Sequence, residues 1–337
     1  MSDFEHLPYE EQLRRLHGLS MQSLGHFDLP AGSESTLINL SENATYRVDD
    51  PSSGQCWALR VHREGYHSKA AIASELAWAS ALREDGAVVT PTPIAGKDGE
   101  IIQVVSHAQV PGQRHVVLFA WEDGEEPDEE QHDLRAPFEV LGEMTARMHL
   151  HVRGWQKPAF FERLIWDFDT SLGDTPHWGF WRNGMGLTPE IETVFAKTVD
   201  LIGRRLEKFG KSDERFGLIH CDMRLANLLI DGDVTKVIDF DDSGFSWLLY
   251  DCATTVSFFE HKPEVPELLE AWVRGYRKVI DLPKEDEDEI PTFVMLRRLL
   301  LVAWIGSHNE TDLAQSMGVE YTRGTVPLCE AYLLRFG

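Results

Sequence analysis

Leu13, Leu16, Leu19 and Leu24 recur at helical spacing among charged neighbours and predict an amphipathic helix from Tyr9 to Leu24. The period then changes. Between Thr36 and Val61 the apolar residues fall into short β-prone runs, Thr36 to Leu40, Thr45 to Val48 and Gln55 to Val61. Asp49-Asp-Pro-Ser-Ser-Gly54, dense in turn formers, joins the last two, so an antiparallel meander is expected. Ser68 can cap the next helix, which runs to about Arg83 with Ile72, Leu76, Ala79 and Leu82 as its apolar stripe. Glu75 stands inside that stripe, where a lone carboxylate is costly, and so requires a cationic partner.

Strand-like segments follow at Glu100 to Val105 and Arg114 to Trp121, and then the acidic, turn-rich stretch from Glu122 to Glu130 interrupts the pattern. Beyond it the periodicity is helical over Pro137 to Val152, Pro189 to Phe209, Pro263 to Ile280 and Pro291 to Ile305. Phe216 to Phe240 is the exception, a β-hairpin-like island. The expected fold is α+β, a small antiparallel β lobe followed by a larger, mainly helical lobe. The expected divisions are residues 1–27 as a helical extension, 28–122 as the N-lobe and 123–337 as the C-lobe.

With 337 residues the chain is long enough for two lobes. Lysine plus arginine number 32 against 56 aspartate plus glutamate, a net charge of 32 − 56 = −24, which opposes nucleic acid or anionic membrane as a partner. Cys56, Cys221, Cys252 and Cys329 show no paired spacing, so neither a disulfide framework nor a zinc site is indicated. The acidic start lacks the pattern of a signal peptide, and the most apolar run, Leu299 to Ile305, is far short of the roughly 20 residues that span a bilayer. A soluble, cytoplasmic protein is expected.

The chemistry concentrates between Leu218 and Asp242. Leu228 to Ile230 and Val237 to Ile238 flank the turn Asp231-Gly-Asp233, so a hairpin brings Asn227 and Asp239 together at its open end. Asp222, five residues before Asn227, lies near the same mouth. One amide oxygen and two carboxylates are the hard donors that Mg²⁺ prefers, with substrate phosphates completing its shell. Such an arrangement serves phosphoryl transfer.

His220-x-Asp222-x-x-x-x-Asn227 together with Ile238-Asp239-Phe240-Asp241 resembles the catalytic loop and metal-binding segment of the aminoglycoside phosphotransferase and choline kinase family. Within it the chain is most similar to RdoA/SrkA-type and homoserine-kinase-like bacterial members. The resemblance implies a protein-kinase-like fold and transfer of the ATP γ-phosphoryl group to a hydroxyl, with Asp222 as base and Asn227 and Asp239 on Mg²⁺. It also places Leu40 to Tyr46 over the nucleotide phosphates, with Ser41 and Asn43 as hydrogen-bonding residues. Arg60 becomes the cation on the α/β-phosphates and the partner that Glu75 requires. Leu118 to Glu122, with Phe119 and Trp121, becomes the connector beside the adenine, and Leu141 to His149 and Tyr250 to Ala253 match two helices of the large lobe.

Two departures from the family pattern stand out. The phosphate loop has no glycine, and the cation is arginine where lysine is usual. The acceptor implied is a small molecule, favoured as an amine- or ammonium-bearing alcohol by the acidic composition and the aromatic, acidic segment Trp166 to Trp181. A protein serine or threonine acceptor, as in the stress-response branch, and a nucleotide-binding pseudoenzyme are the alternatives.

Other residues are expected to be structural: His220 bonding backbone, Asp251 bracing the catalytic loop, Cys221 as a small buried hydrophobe. Aromatic packing is the favoured reading of the tryptophan-rich segment, and a solvated helix start that of Lys284 to Glu289. For Asp241 and Asp242, ligation of a metal or cationic group and solvated charge both stay open.

Overall fold

The computed structural model describes residue 4 and residues 7–41, 43–127, 133–309 and 311–337. The chain forms two compact units, one of residues 1–85, 89–124 and 157–162, the other of 86–88, 125–156 and 163–337. The expected boundary stretch, Glu122 to Glu130, falls partly outside the described residues.

The first unit is a helix-flanked antiparallel sheet. In chain order it holds α1 (Tyr9–Ser23), β1 (Glu34–Leu40), β2 (Ala44–Asp49), β3 (Cys56–Val61), α2 (Lys69–Glu84), β4 (Pro93–Ile94), β5 (Gln103–His107) and β6 (Val110–Ala120). The sheet order is β1-β2-β3-β6-β4, with β5 also paired to β6. Alternation along the strands sorts the side chains onto two faces. Tyr46, Val48, Leu59, Val61, Val116 and Leu118 share a core with Leu16, Leu19 and Phe27. Ala58, Val117 and Phe119 pack instead with Ile72 and Leu76 of α2. Leu16, Leu19 and Phe27, from the stretch read in sequence as an extension, thus pack on one face of the sheet. Arg60, two residues from Ala58, falls on the α2 face.

The second unit begins with α3 (Arg135–Gly154), β7 (Leu164–Ile165), α4 (Phe168–Ser171) and α5 (Pro189–Phe209). It continues through β8 (Phe216–Ile219), β9 (Leu228–Asp231), β10 (Val234–Val237), β11 (Gly244–Trp247) and α6 (Leu248–Thr254), and ends with α7 (Val265–Tyr276), α8 (Lys284–Glu287), α9 (Ile290–Ser307) and α10 (Asp312–Phe336). The island expected as one hairpin is two small sheets. β9 and β10 form the hairpin, while β8 pairs with β11 in the order β7-β11-β8. α10 carries no clean periodic signal, because Gly318, with φ of 46°, kinks it and Pro327 lies inside it.

α9 is longer and more apolar than the sequence suggested. The segment Lys284–Ser307 is long and apolar enough to cross a membrane by composition, yet most of it is buried within the unit. It reads as a core helix. The acidic run beginning at Lys284 is also more than a solvated helix start. Asp286 takes Arg215 at 2.6 Å, Glu287 takes Arg277 at 2.8 Å and Glu289 takes Arg205 at 2.6 Å, so the run anchors a cation of α5, the one that caps α7 and the one before β8.

α3 and α7 touch backbone to backbone. A Cβ at Gly142 would lie 2.0 Å from the Trp272 carbonyl oxygen, and one at Gly275 1.8 Å from the Glu139 carbonyl oxygen. Only hydrogen fits there. The contact matters for function because His149 of α3 and Tyr276 of α7 meet beside it, with Nδ1 of the imidazole 3.0 Å from the tyrosine hydroxyl. Gly275→Ala must push the helices apart, and should lower unfolding free energy by about 1–3 kcal/mol or more, as overpacking against rigid backbone does. Urea unfolding measures this; an unchanged midpoint would mean that the helix contact is not as close as described.

Candidate active site

The β9–β10 hairpin pairs Val234 with Asp231 through to Val237 with Leu228. One step further, Ile238 N–H donates to the Asn227 carbonyl at 2.9 Å, so Asp239 follows directly on the residue bonded to Asn227. Asn227 ends a short 3₁₀ turn, Leu225–Asn227, and its amide nitrogen donates to the Asp222 carboxylate Oδ2 at 2.9 Å and the Asp222 carbonyl at 2.7 Å. Those contacts fix the Asn227 amide against Asp222. Asp222, Asn227 and Asp239 therefore gather at one end of the hairpin.

Beneath them lies a buried carboxylate. Asp251 of α6 accepts the backbone N–H of Cys221 at 2.7 Å through Oδ1 and that of His220 at 3.1 Å through Oδ2. Oδ2 also meets Nε2 of His149 at 3.1 Å, so three donors compensate a fully buried charge. His220 clamps the other side of the loop. Its Nδ1 accepts the Asp222 N–H at 3.3 Å, which puts the ring proton on Nε2, donating to the Ile238 carbonyl at 3.1 Å. The imidazole thus ties the loop to the segment that carries Asp239.

Among the described residues three non-glycines have left-handed backbone: Cys221 (φ 67°), Asp239 (φ 59°) and Phe258 (φ 76°). Two immediately precede or form the candidate site, and the third lies under Arg224, 5.5 Å from guanidinium to ring. Such conformations persist where the surroundings over-determine them, typically at functional sites. Burial and then the Asp251 charge push the Cys221 thiol well up, so it stays protonated and behaves as a small hydrophobe.

Arginines surround the carboxylate of Asp222. Arg297 Nη2 reaches Oδ1 at 2.7 Å and Arg224 Nε reaches Oδ2 at 3.2 Å. Burial alone would raise the Asp222 carboxyl, but the charges of Arg224 and Arg297 outweigh it and hold it below the ordinary carboxylate value. Arg163 secures the next loop. It is buried and donates to the carbonyls of Ser243 at 2.5 Å and of Asp241. Trp166 adds an indole bond to the Asp242 carbonyl at 2.9 Å. Asp241 is buried, which removes solvated charge as its reading, while Asp242 is half-buried.

Trp166, Trp178 and Trp181 are buried, Trp166 and Trp178 edge to face at 4.9 Å, so the tryptophans of this segment pack as core, while Phe180 and His177 are exposed. Sequence reasoning passed over Arg163, Arg224 and Arg297. For Arg297 a signal existed: Arg297-Arg298 interrupts an apolar helix, the same anomaly that singled out Glu75.

In the first unit Arg60 Nη1 meets Glu75 Oε1 at 2.6 Å, both side chains largely buried, and the guanidinium lies 5.5 Å over Phe119. The cation that Glu75 required is the one the family resemblance named. Asn43 is buried, its Oδ1 accepting the Arg63 N–H at 3.2 Å, and Ser41 N–H bonds the Asn43 carbonyl at 3.1 Å. Glu42, between them, lies outside the described residues. Phe119 is buried beneath Arg60, whereas Trp121 is half-buried under Arg47 at 4.8 Å.

No group of three His, Cys, Asp or Glu side chains forms a metal cage among the described residues. The donor set of Asn227 and Asp239 instead suits Mg²⁺, which keeps waters and phosphate oxygens in its shell and needs only one or two protein ligands. A groove of about 370 Å³ among α7, α9 and α10, floored by Val273, Val294 and Leu328, shares no residue with this site.

The family model described as the phosphotransferase enzyme family matches residues 36–287. The solved structure of a microcompartment-associated aminopropanol kinase is 44% identical, with a TM-score of 0.87 over 95% of this chain and 98% of that one. Amicoumacin kinase of Bacillus subtilis (strain 168) is 23% identical over 285 residues, 81% of this chain and 80% of that protein. A structure of amicoumacin kinase hAmiN in complex with AMP-PNP, Ca²⁺ and Ami has a TM-score of 0.76 at 20% identity, covering 95% of this chain and 96% of that one.

Two outcomes are expected from this geometry. Arg60→Ala and Glu75→Ala should each raise KM for ATP, and their effects should couple by about 0.5–3 kcal/mol in a double-mutant cycle; strict additivity would show that the pair does not act together. Asp251→Ala leaves two loop N–H groups and His149 without their acceptor, and should destabilise the fold by about 1–3 kcal/mol or more while also lowering kcat. Calorimetric melting beside steady-state kinetics checks both halves, and unaltered values would remove Asp251 from the bracing role.

Proposed function

The chain belongs to the phosphotransferase enzyme family, and from that premise we propose that it moves the γ-phosphoryl group of ATP to the hydroxyl of a small amino alcohol. The observation that carries the chemistry is Asp222, a carboxylate fixed by Arg297, Arg224 and Asn227 at the open end of the hairpin that bears Asp239. The acceptor class rests on 44% identity over nearly the whole chain to a kinase of aminopropanol, with a net charge of −24 suiting a cationic substrate.

In this reading Asp222 receives the acceptor's hydroxyl proton and orients its oxygen for attack. A carboxylate held anionic by two guanidiniums is a weak base, and that suffices, because phosphoryl transfer through a loose transition state asks mainly for positioning. Asn227 and Asp239 hold Mg²⁺, which when bound neutralises phosphate charge. His220 and Asp251 keep the loop backbone still. Arg60, steadied by Glu75, binds nucleotide phosphate. The burial of α9 within its unit supports a protein that works in solution, and the cytoplasm is its proposed compartment.

Transfer from γ-labelled ATP tests the reading. Label should enter the small-molecule fraction with 1-amino-2-propanol, ahead of ethanolamine and choline; label confined to protein would favour a protein kinase, and no transfer a pseudoenzyme. Asp222→Asn should lower kcat by about 10²–10⁴-fold with the fold intact, as loss of a positioned base does. Asp239→Ala should abolish the Mg²⁺ dependence of nucleotide binding, read by titration calorimetry; an unchanged Mg²⁺ titration would exclude Asp239 as a ligand.

A further inference from the structure

Two adjacent arginines are buried in the apolar helix α9, each on a carboxylate, and the contrast between them is informative. Arg298 meets Glu260 at 2.6 Å, Thr325 at 2.7 Å and the Tyr321 carbonyl at 3.1 Å, all inside the helical core. It joins helices. Arg297 instead turns to the catalytic loop, Nη2 to Asp222 Oδ1 at 2.7 Å, with Nη1 on the Tyr250 hydroxyl and Nε on the Ser257 hydroxyl, each at 3.1 Å. Its guanidinium also lies 5.3 Å over Trp178. The Arg297 side chain is 3% exposed, so a group carrying obligatory charge is committed to this one place.

The hydrogen-bond inventory of Asp222 shows what that achieves. A carboxylate offers about four lone-pair directions. Oδ2 accepts from Asn227 and Arg224, and Oδ1 from Arg297 alone among the described residues. One direction is left, on Oδ1, beside the guanidinium. Tyr250 on α6, Ser257 just beyond it and Trp178 between α4 and α5 stand behind Arg297 and stop it from swinging with the carboxylate.

We propose that Arg297 is a positioning residue for the transfer, holding Asp222 so that the remaining lone pair of Oδ1 faces the acceptor hydroxyl. The inference rests on the reading of Asp222 as base. The hydroxyl proton passes to Oδ1 as the acceptor oxygen forms its bond to the γ-phosphorus and the bond from that phosphorus to the ADP oxygen breaks. Arg297 keeps its charge and its proton throughout. Without it, Asp222 retains its place in the chain but not its aim.

The test is steady-state kinetics with ATP and 1-amino-2-propanol, and in parallel with water alone as acceptor. Arg297→Ala should lower kcat by about 10²-fold, the loss that a misplacement of roughly 1 Å produces, while KM for ATP stays near the parent value. Millimolar guanidinium chloride should restore part of that turnover. Arg298→Ala, the matched buried pair outside the site, should lower the melting temperature with no selective loss of kcat and no guanidinium response. Should Arg297→Ala fail to fold, Tyr250→Phe decides, since it removes one hydroxyl behind the guanidinium and should lower kcat several-fold at unchanged KM for ATP. A folded Arg297→Ala, or in its absence Tyr250→Phe, with parental kcat overturns the proposal. Asp222→Asn separates the two levels: parental turnover in that variant refutes the base itself, whereas a slow Asp222→Asn beside a fast Arg297→Ala refutes the positioning role alone.

Discussion

Burying the Asp251 carboxylate is the constraint on which the second unit depends. A charge fully removed from water must be met by donors, and the three it finds are two consecutive backbone N–H groups and a histidine. Because the backbone donors belong to His220 and Cys221, satisfying the charge also dictates the path of the loop that presents Asp222. The left-handed turn at Cys221 is the conformational cost of pointing both N–H groups at one carboxylate. The histidine is in turn held by Tyr276, and that contact exists only because Gly142 and Gly275 let α3 and α7 approach to backbone distance. A helix contact away from the site thereby reaches the loop that carries Asp222 through the chain Tyr276, His149 and Asp251.

The first unit answers a similar demand with a different geometry. Alternation in β3 sends Leu59 and Val61 to the face shared with α1, and Ala58 and Arg60 to the face covered by α2. An arginine on a covered face needs an anion, and a glutamate in an apolar helical stripe needs a cation. Each residue is explicable only by the other. The pair at 2.6 Å is worth little as net stability, since desolvation offsets most of its attraction, but removing one partner strands the other.

A strongly acidic chain also concentrates its cations where they matter. Net charge is −24, yet Arg163, Arg224 and Arg297 converge on the loops carrying Asp222 and Asp241. Low local dielectric makes such charges effective over a few ångströms, while the overall field acts at the surface and attracts cationic solutes. The same sequence can therefore carry a large net negative charge and still keep its buried carboxylates compensated.

Local pattern alone determined a good deal: the meander, the capped α2, the hairpin about Asp231-Gly-Asp233, and the need of Glu75 for a partner. These depend on neighbours within a few residues, where hydrophobic period and turn chemistry act. The approach of Asp222, Asn227 and Asp239 was also legible, because a hairpin's register is set by its turn. What tertiary structure decided is what crosses long stretches of chain. Arg297 stands 75 residues from Asp222, His149 stands 102 from Asp251, and β8 pairs with β11 in preference to its nearer neighbours. No periodicity encodes such meetings; they follow from which buried charges can be satisfied once helices have packed. The membrane-like composition of α9 makes the point most plainly, since its apolar length and its two arginines make sense only inside a core that supplies Asp222 and Glu260 as their counterions.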